Sequence, residues 1–300
     1  MKREEPSTEV PARDKQVEED LWQRRGAERG VWTEPMLAAL ERGLKGNKWF
    51  SLIDKVWSEG TLELAWEKVK SNAGACGVDG ITIGRFAKDS QSRLLAVKEH
   101  LKRGTYQPKP VKRVWITKPG STEKRPLGIP TVTDRVVQAA LRMVIEPIFE
   151  SRFAEGSHGF RPGRGCKDAL RQVEGLLRAG HLHVVDVDIK GYFDTIPHER
   201  LMALVRERLA DGRVLGLIEG FLKQEVMESV PTSINAPPSV SPCLREKPLF
   251  FLHDCGLFLF VASCLRVSPC GHRSLEADDL VFERVAEGEA VGMEAHRGRG

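Results

Sequence analysis

The run His183 to Lys190 alternates in the manner of an extended strand, and it limits the fold more than any other stretch of the chain. Val185, Val187 and Ile189 fall on one side, while Asp186, Asp188 and Lys190 fall on the other. The turn that follows, Gly191-Tyr-Phe-Asp194, adds a third carboxylate near the strand's end. Carboxylates gathered there suit Mg2+, a hard cation that prefers oxygen ligands and leaves room for substrate phosphates. With a second ion, such a group suits in-line phosphoryl transfer. Periodicity by itself favours a plainer reading, in which the two aspartates line the wet face of an antiparallel sheet.

Helical patterns precede this strand. One covers Glu34 to Leu44, a second Leu62 to Lys70 with Thr61 as its N-cap, and a third Arg85 to Leu101. Between the second and third lies a glycine-rich loop, Ser71 to Gly80, in which Gly77 and Gly80 read as turn residues. It follows no strand, so it does not fit a dinucleotide fingerprint. Two β-like runs, Val111 to Thr117 and Pro126 to Pro130, flank the loop Lys118 to Arg125 and predict a hairpin. An amphipathic helix capped by Thr133 or Asp134 comes next, with Val136, Val137, Ala140, Leu141, Val144, Ile145 and Ile148 as its apolar stripe. A loop rich in Gly and Arg, Ser157 to Arg164, leads to a helix over about Cys166 to Ala179. After the strand, a helix runs from His198 to Leu209 with Pro197 at its first turn.

Charge narrows the partners. The net charge of the 300 residues is only +4, but residues 101 to 135 carry nine Lys or Arg against Glu123 and Asp134, a local +7. That block reads equally as a solvated face or as a phosphate-binding surface, since clustered cations gain affinity by releasing counterions from a polyanion. The six cysteines form no C-x-x-C pair, so neither a disulfide framework nor a zinc knuckle is indicated, and the irregular set Cys243 to Cys270 is read as ordinary thiols. No signal peptide and no apolar run of membrane length is visible, and a cytoplasmic location with no membrane partner is expected.

Four strings change the weighting. Val187-Asp-Ile-Lys-Gly-Tyr-Phe-Asp194 is similar to the first palm motif of group II intron reverse transcriptases. Asn72 to Thr82 resembles that family's N-terminal loop motif, Lys124 to Gln138 its first fingers motif, and Ser157 to Arg164 its second. The four occur in the family's order within residues 72 to 228. The resemblance implies an α+β right-hand polymerase fold, with helical fingers, a hairpin and a mostly antiparallel palm. It implies RNA-directed DNA synthesis linked to intron splicing and mobility, with RNA template or intron RNA, DNA primer, deoxynucleoside triphosphates and Mg2+ as partners. Asp188 would be the metal-binding catalytic aspartate, with the backbone of Ile189 as a second ligand and Phe193 as a steric gate under the sugar. Lys118 and Arg125 would clamp the triphosphate, and Arg161 and Arg164 would contact the nucleic-acid backbone. Tyr192 and Phe160 are expected to be packed.

The family pattern breaks down near residue 230. No Pro-Gln-Gly occurs, and five prolines crowd residues 231 to 248. Glu276-Ala-Asp-Asp-Leu-Val-Phe282 matches the family's second acidic motif except for a Glu in place of its tyrosine, which makes Asp278 and Asp279 the remaining catalytic candidates and Asp278 the second metal ligand. The same string also reads as a chance Ala-Asp-Asp. The expected organisation is a mobile arm over 1–30, an N-terminal extension with fingers over 31–182, the first part of a palm over 183–229, and a divergent tail over 230–300 with no thumb. Two rivals stay open: an intron RNA-binding, maturase-like fragment without catalysis, and the product of a decayed gene.

Overall fold

A computed structural model describes residues 26–43, 48–117, 120, 122, 124–181, 183 and 196–228. All belong to the unit Met1–Val267, one of two into which the chain divides. Residues 184–190 of the expected strand, the tail from residue 229 and most of the N-terminal arm lie outside the described residues.

The described elements run α1 (Glu34–Arg42), α2 (Ile53–Val56), α3 (Glu59–Asn72), α4 (Ile83–Lys88), α5 (Ser90–Arg103), β1 (Val111–Thr117), β2 (Lys124–Ile129), α6 (Val132–Glu150), α7 (Cys166–Arg178), α8 (His198–Arg206), α9 (Gly212–Leu222) and β3 (Val226–Glu228). The architecture is a mixed helix and strand unit with one small sheet. Its strand order is β2-β1-β3, antiparallel between β1 and β2 and parallel between β1 and β3.

Helix α6 is the central element. Every residue of the expected apolar stripe is buried, and burial extends round most of the helix to Asp134, Arg135, Gln138, Glu146 and Glu150. Helices α2 and α3 pack on it, and the indole of Trp32 donates to the Met143 carbonyl at 3.1 Å. The side chains of Asp134, Arg135, Glu146 and Glu150 have partners that offset their lost hydration, whereas neither polar atom of the Gln138 side chain has a hydrogen-bond partner among the described residues.

Several boundaries differ from the sequence expectation, each for a local reason. Helix α3 begins at Glu59 because the Ser58 hydroxyl accepts from the Thr61 amide, so Ser58 caps the helix and Thr61 is buried inside it. The expected helix from Arg85 is two helices: α4, capped by Thr82, ends at Lys88, and α5 starts at Ser90. Helix α6 is capped by Thr131, whose hydroxyl accepts from the Asp134 amide at 3.1 Å, rather than by Thr133 or Asp134. Packing begins before residue 31, since Ala27 is buried and Glu28 pairs with Lys68.

Asp211 joins distant parts of the unit. One of its carboxylate oxygens accepts from the amides of Leu52 and Ile53 at 2.6 and 2.9 Å, at the start of α2. The other accepts from Arg213 and Val214, capping α9. Beside it, Trp49 exchanges backbone hydrogen bonds with Arg208 and Ala210 at 2.8 Å. One carboxylate thus satisfies four amides that helix starts leave open.

Candidate nucleic-acid and nucleotide site

The hairpin of β1 and β2 pairs Ile116 with Arg125, Trp115 with Pro126 and Thr117 with Lys124. Because strand side chains alternate, Arg125 shares a face with Ile116 and Leu127, while Trp115, Pro126 and Lys124 occupy the opposite face. Both Lys124 and Arg125 are exposed. An exposed guanidinium at the end of a paired strand offers two parallel N–H donors, the geometry that matches a phosphate.

The base of the hairpin is locked from three sides. Tyr106 donates its hydroxyl to Asp134 at 2.6 Å, the Thr131 hydroxyl donates to the other oxygen of Asp134 at 2.6 Å, and the Lys109 amide lies 3.3 to 3.4 Å from both. Gln224 donates to the Lys109 carbonyl at 2.8 Å, and Arg113 on β1 pairs with Glu228 on β3 at 2.9 Å. Burial pushes the Asp134 carboxyl above its ordinary range, against the pull of its Thr131, Tyr106 and Lys109 donors. Burial likewise pushes the Tyr106 phenol well up, helped by the carboxylate beside it.

The glycine-rich loop is held against the start of α6. Arg135 donates to the carbonyls of Ala73 and Ala75 at 2.9 and 2.8 Å. Gly77 approaches so closely that an added Cβ would lie 2.7 Å from the Thr131 backbone. Gly77 is therefore a close-contact residue and not merely a turn former. Gly80 is a turn residue, with φ +64° and open space around it.

The second arginine-rich loop corrects one expectation. Arg161 is buried, with its Nε and Nη2 on the Glu150 carboxylate at 2.7 to 3.2 Å and its Nη1 on the carbonyls of Ala154 and Ser157 at 2.7 and 2.8 Å. A guanidinium so engaged ties the loop to the end of α6 and does not present itself to a nucleic-acid backbone. Arg164 is half-buried, with one donor on the Glu155 carbonyl at 2.5 Å. Phe160, expected to be packed, is 51% exposed and holds φ +56°, a conformation uncommon for a residue with a Cβ. The loop leads into α7 through Asp168, which accepts from the Gly165 amide at 2.9 Å and is held below the usual carboxylate range chiefly by that bond.

Lys118, Asp188, Ile189, Phe193, Asp278 and Asp279 lie outside the described residues, as does Tyr192. Among the described residues no group of three His, Cys, Asp or Glu is placed to hold a metal ion. No described helix is long and apolar enough to cross a membrane. Sequence reasoning passed over the Tyr106–Asp134 contact, because 28 residues separate the partners and Asp134 reads locally as a helix cap. It also passed over Trp115, whose exposure no local pattern indicates.

Residues 116–236 match the family of reverse transcriptases (RNA-dependent DNA polymerases). The chain is also similar to group II intron-encoded proteins. It is 36% identical over 204 residues to the group II intron-encoded protein LtrA of Lactococcus lactis subsp. cremoris, covering 65% of this chain and 33% of that protein. It is 40% identical over 191 residues to protein YkfC of Escherichia coli K12, covering 59% and 50%. It is 39% identical over 94 residues to nuclear intron maturase 1, mitochondrial, of Arabidopsis thaliana, covering 31% and 13%. The chain thus spans a third to a half of the length of the first two relatives. A solved chain from a partial Cas6-RT-Cas1–Cas2 complex superposes with a TM-score of 0.43 at 18% identity, covering 75% of this chain and 36% of that one. The reverse transcriptase match takes in the hairpin tip, the arginine-rich loop and Asp188, and it ends before Asp278 and Asp279.

Proposed function

We propose that the chain serves RNA-directed DNA synthesis of the group II intron type, linked to intron splicing and mobility. The observation that carries this reading is the hairpin, locked at its base by Asp134 and exposing Arg125 near its tip, within sequence that matches reverse transcriptases. In this reading the hairpin and the described helices before residue 183 belong to the N-terminal extension and fingers of a right-hand polymerase, and residues 183–229 contribute to a mostly antiparallel palm.

Each residue then has a defined task. Arg125, with Lys118, holds the triphosphate of an incoming deoxynucleotide, and the locked hairpin base keeps that grip in register. Phe193 closes the space beneath the sugar and excludes a 2′-hydroxyl. Arg164 touches the backbone of RNA template or DNA primer, while Arg161 positions its loop. By the family resemblance, Asp188 and the Ile189 carbonyl would offer hard-oxygen donors whose chemistry suits Mg2+, and Asp278 and Asp279 are the further carboxylate candidates. When bound, that ion supplies charge neutralisation for phosphoryl transfer.

Primer extension on an RNA template with Mg2+ tests the reading, comparing the chain with Asp188→Ala and with the double change Asp278→Ala, Asp279→Ala. Extension by the parent and its loss in both variants is the expected result. An inert parent that still binds intron RNA with steep salt dependence would replace polymerisation by RNA binding as the function.

A further inference from the structure

The glycine-rich loop meets the base of the hairpin through one pair of side chains, Asp79 and Lys109. The Asp79 side chain is only 10% exposed. Its Oδ1 accepts from the Ile81 amide at 3.1 Å, an Asx turn that closes the loop beside the Gly80 amide on the Gly77 carbonyl. Its Oδ2 is buried and accepts no hydrogen bond, and the Lys109 ammonium stands 3.7 Å away. A carboxylate taken out of water without its donors costs stability. The half-exposed ammonium offsets little of that cost, because water screens it. Stability is therefore a poor reason for the pair, and its position is a better one.

The Lys109 amide faces Asp134, and the Lys109 carbonyl accepts from Gln224. Two residues on, the Val111 amide donates to the Glu225 carbonyl as β1 begins. Asp134 is followed in α6 by Arg135, whose guanidinium holds the Ala73 and Ala75 carbonyls of the same glycine-rich loop. Ala73 takes φ +52° there, a conformation uncommon for a residue with a Cβ. The contacts close a ring. It runs from Asp79 to Lys109, through the Lys109 amide to Asp134, on to Arg135, and through Ala75 back along the loop. Gly77, packed against the Thr131 backbone, lies between the two attachments of the loop. A displaced hairpin base must strain the ring on both sides, so each link reinforces the others.

Resting on the polymerase reading above, we infer that Asp79 and Lys109 are positioning residues for the incoming nucleotide. The pair ties the glycine-rich loop to the entry of β1, and the closed ring steadies the hairpin that carries Arg125. The loop thereby acts on the triphosphate through the hairpin, without touching it.

Primer extension and hydrogen exchange on the full chain test this together. Asp79→Asn keeps the acceptor for the Ile81 amide and removes the charge, while Lys109→Met removes the ammonium. Each is expected to raise KM for deoxynucleoside triphosphates by about two- to tenfold, the scale of coupling between residues in contact, with kcat little changed. The double variant should raise it no further, and Lys109→Arg should behave as the parent. Amides of 109–117 and 124–129 should exchange faster in both single variants, while those of α8, outside the ring, do not. Unchanged KM overturns the positioning role, whether or not exchange quickens. Additive effects, or a Lys109→Arg protein no better than Lys109→Met, overturn the pairing. Faster exchange throughout the chain marks general destabilisation and overturns it as well. A parent that extends no primer overturns the polymerase reading and the positioning role with it, whereas an active parent with unmoved variants overturns the positioning role alone.

Discussion

The hydroxyl of Tyr106 donates to the carboxylate of Asp134 at 2.6 Å, joining the segment that enters β1 to the first turn of α6. Three further groups converge on the same carboxylate or its cap: the Thr131 hydroxyl, the Lys109 amide and, through the Lys109 carbonyl, Gln224. These bonds fix the base of the hairpin to the first turn of α6.

Removing this clamp should cost stability in proportion to what is left unpaired. Tyr106→Phe deletes one hydrogen bond to a buried carboxyl and should lower unfolding free energy by about 1 to 3 kcal/mol. Asp134→Ala should cost more, since it strands the Tyr106 and Thr131 hydroxyls and the Lys109 amide together. Urea denaturation of both variants checks the order, and an equal or reversed cost would refute the clamp.

The same carboxyl sets a pH dependence. Burial raises the folded Asp134 above its ordinary value of 3.8, and burial also raises Glu146 above 4.5 against the opposing pull of Arg142. A raised carboxyl binds protons more tightly in the folded state. The stability it contributes is fully present below the ordinary carboxylate pKa and is lost as pH rises through its folded value. Denaturation midpoints should therefore carry a component that falls as pH rises above the ordinary carboxylate value, and Asp134→Asn should flatten it. A component of opposite slope that the variant removes would contradict the assignment.

Arg161 and Arg164 should separate cleanly. Arg161→Ala leaves Glu150 buried without its ion pair and should destabilise the chain by about 3 to 5 kcal/mol. Arg164→Ala should change stability by under about 1 kcal/mol and instead lower RNA affinity and the salt slope. Thermal melts beside salt-dependent binding curves distinguish the two, and a stable Arg161→Ala protein with weakened RNA binding would return Arg161 to the interface.

Gly77 and Gly80 differ in the same measurable way. At Gly77 an added methyl meets backbone rather than a movable side chain, so Gly77→Ala should cost about 1 to 3 kcal/mol and loosen the loop from α6. At Gly80 the space is open and only the positive φ is penalised, about 1 kcal/mol. Chemical denaturation and limited proteolysis in the 72–82 loop report both effects.

Local pattern carried the expectations that held. The apolar stripe of α6, the paired runs of the hairpin and the helix over Cys166–Arg178 follow from periodicity and turn chemistry, which act within a few residues. The four ordered motifs pointed to the reverse transcriptase match for the same reason: each is a short string of consecutive side chains.

What the sequence by itself determined, then, was the apolar stripe of α6, the paired runs of the hairpin and the helix that starts at Cys166. Tertiary structure decided which polar groups serve the core and which serve the surface. An arginine in a Gly-Arg loop reads the same whether it meets solvent or Glu150, and only packing against α6 buries Arg161. Asp134 and Asp211 look like helix caps, yet they bind groups 25 to 28 and 158 to 159 residues away, and no local pattern records such partners. Hydrogen bonding depends on distance in space, so these choices were made by the fold.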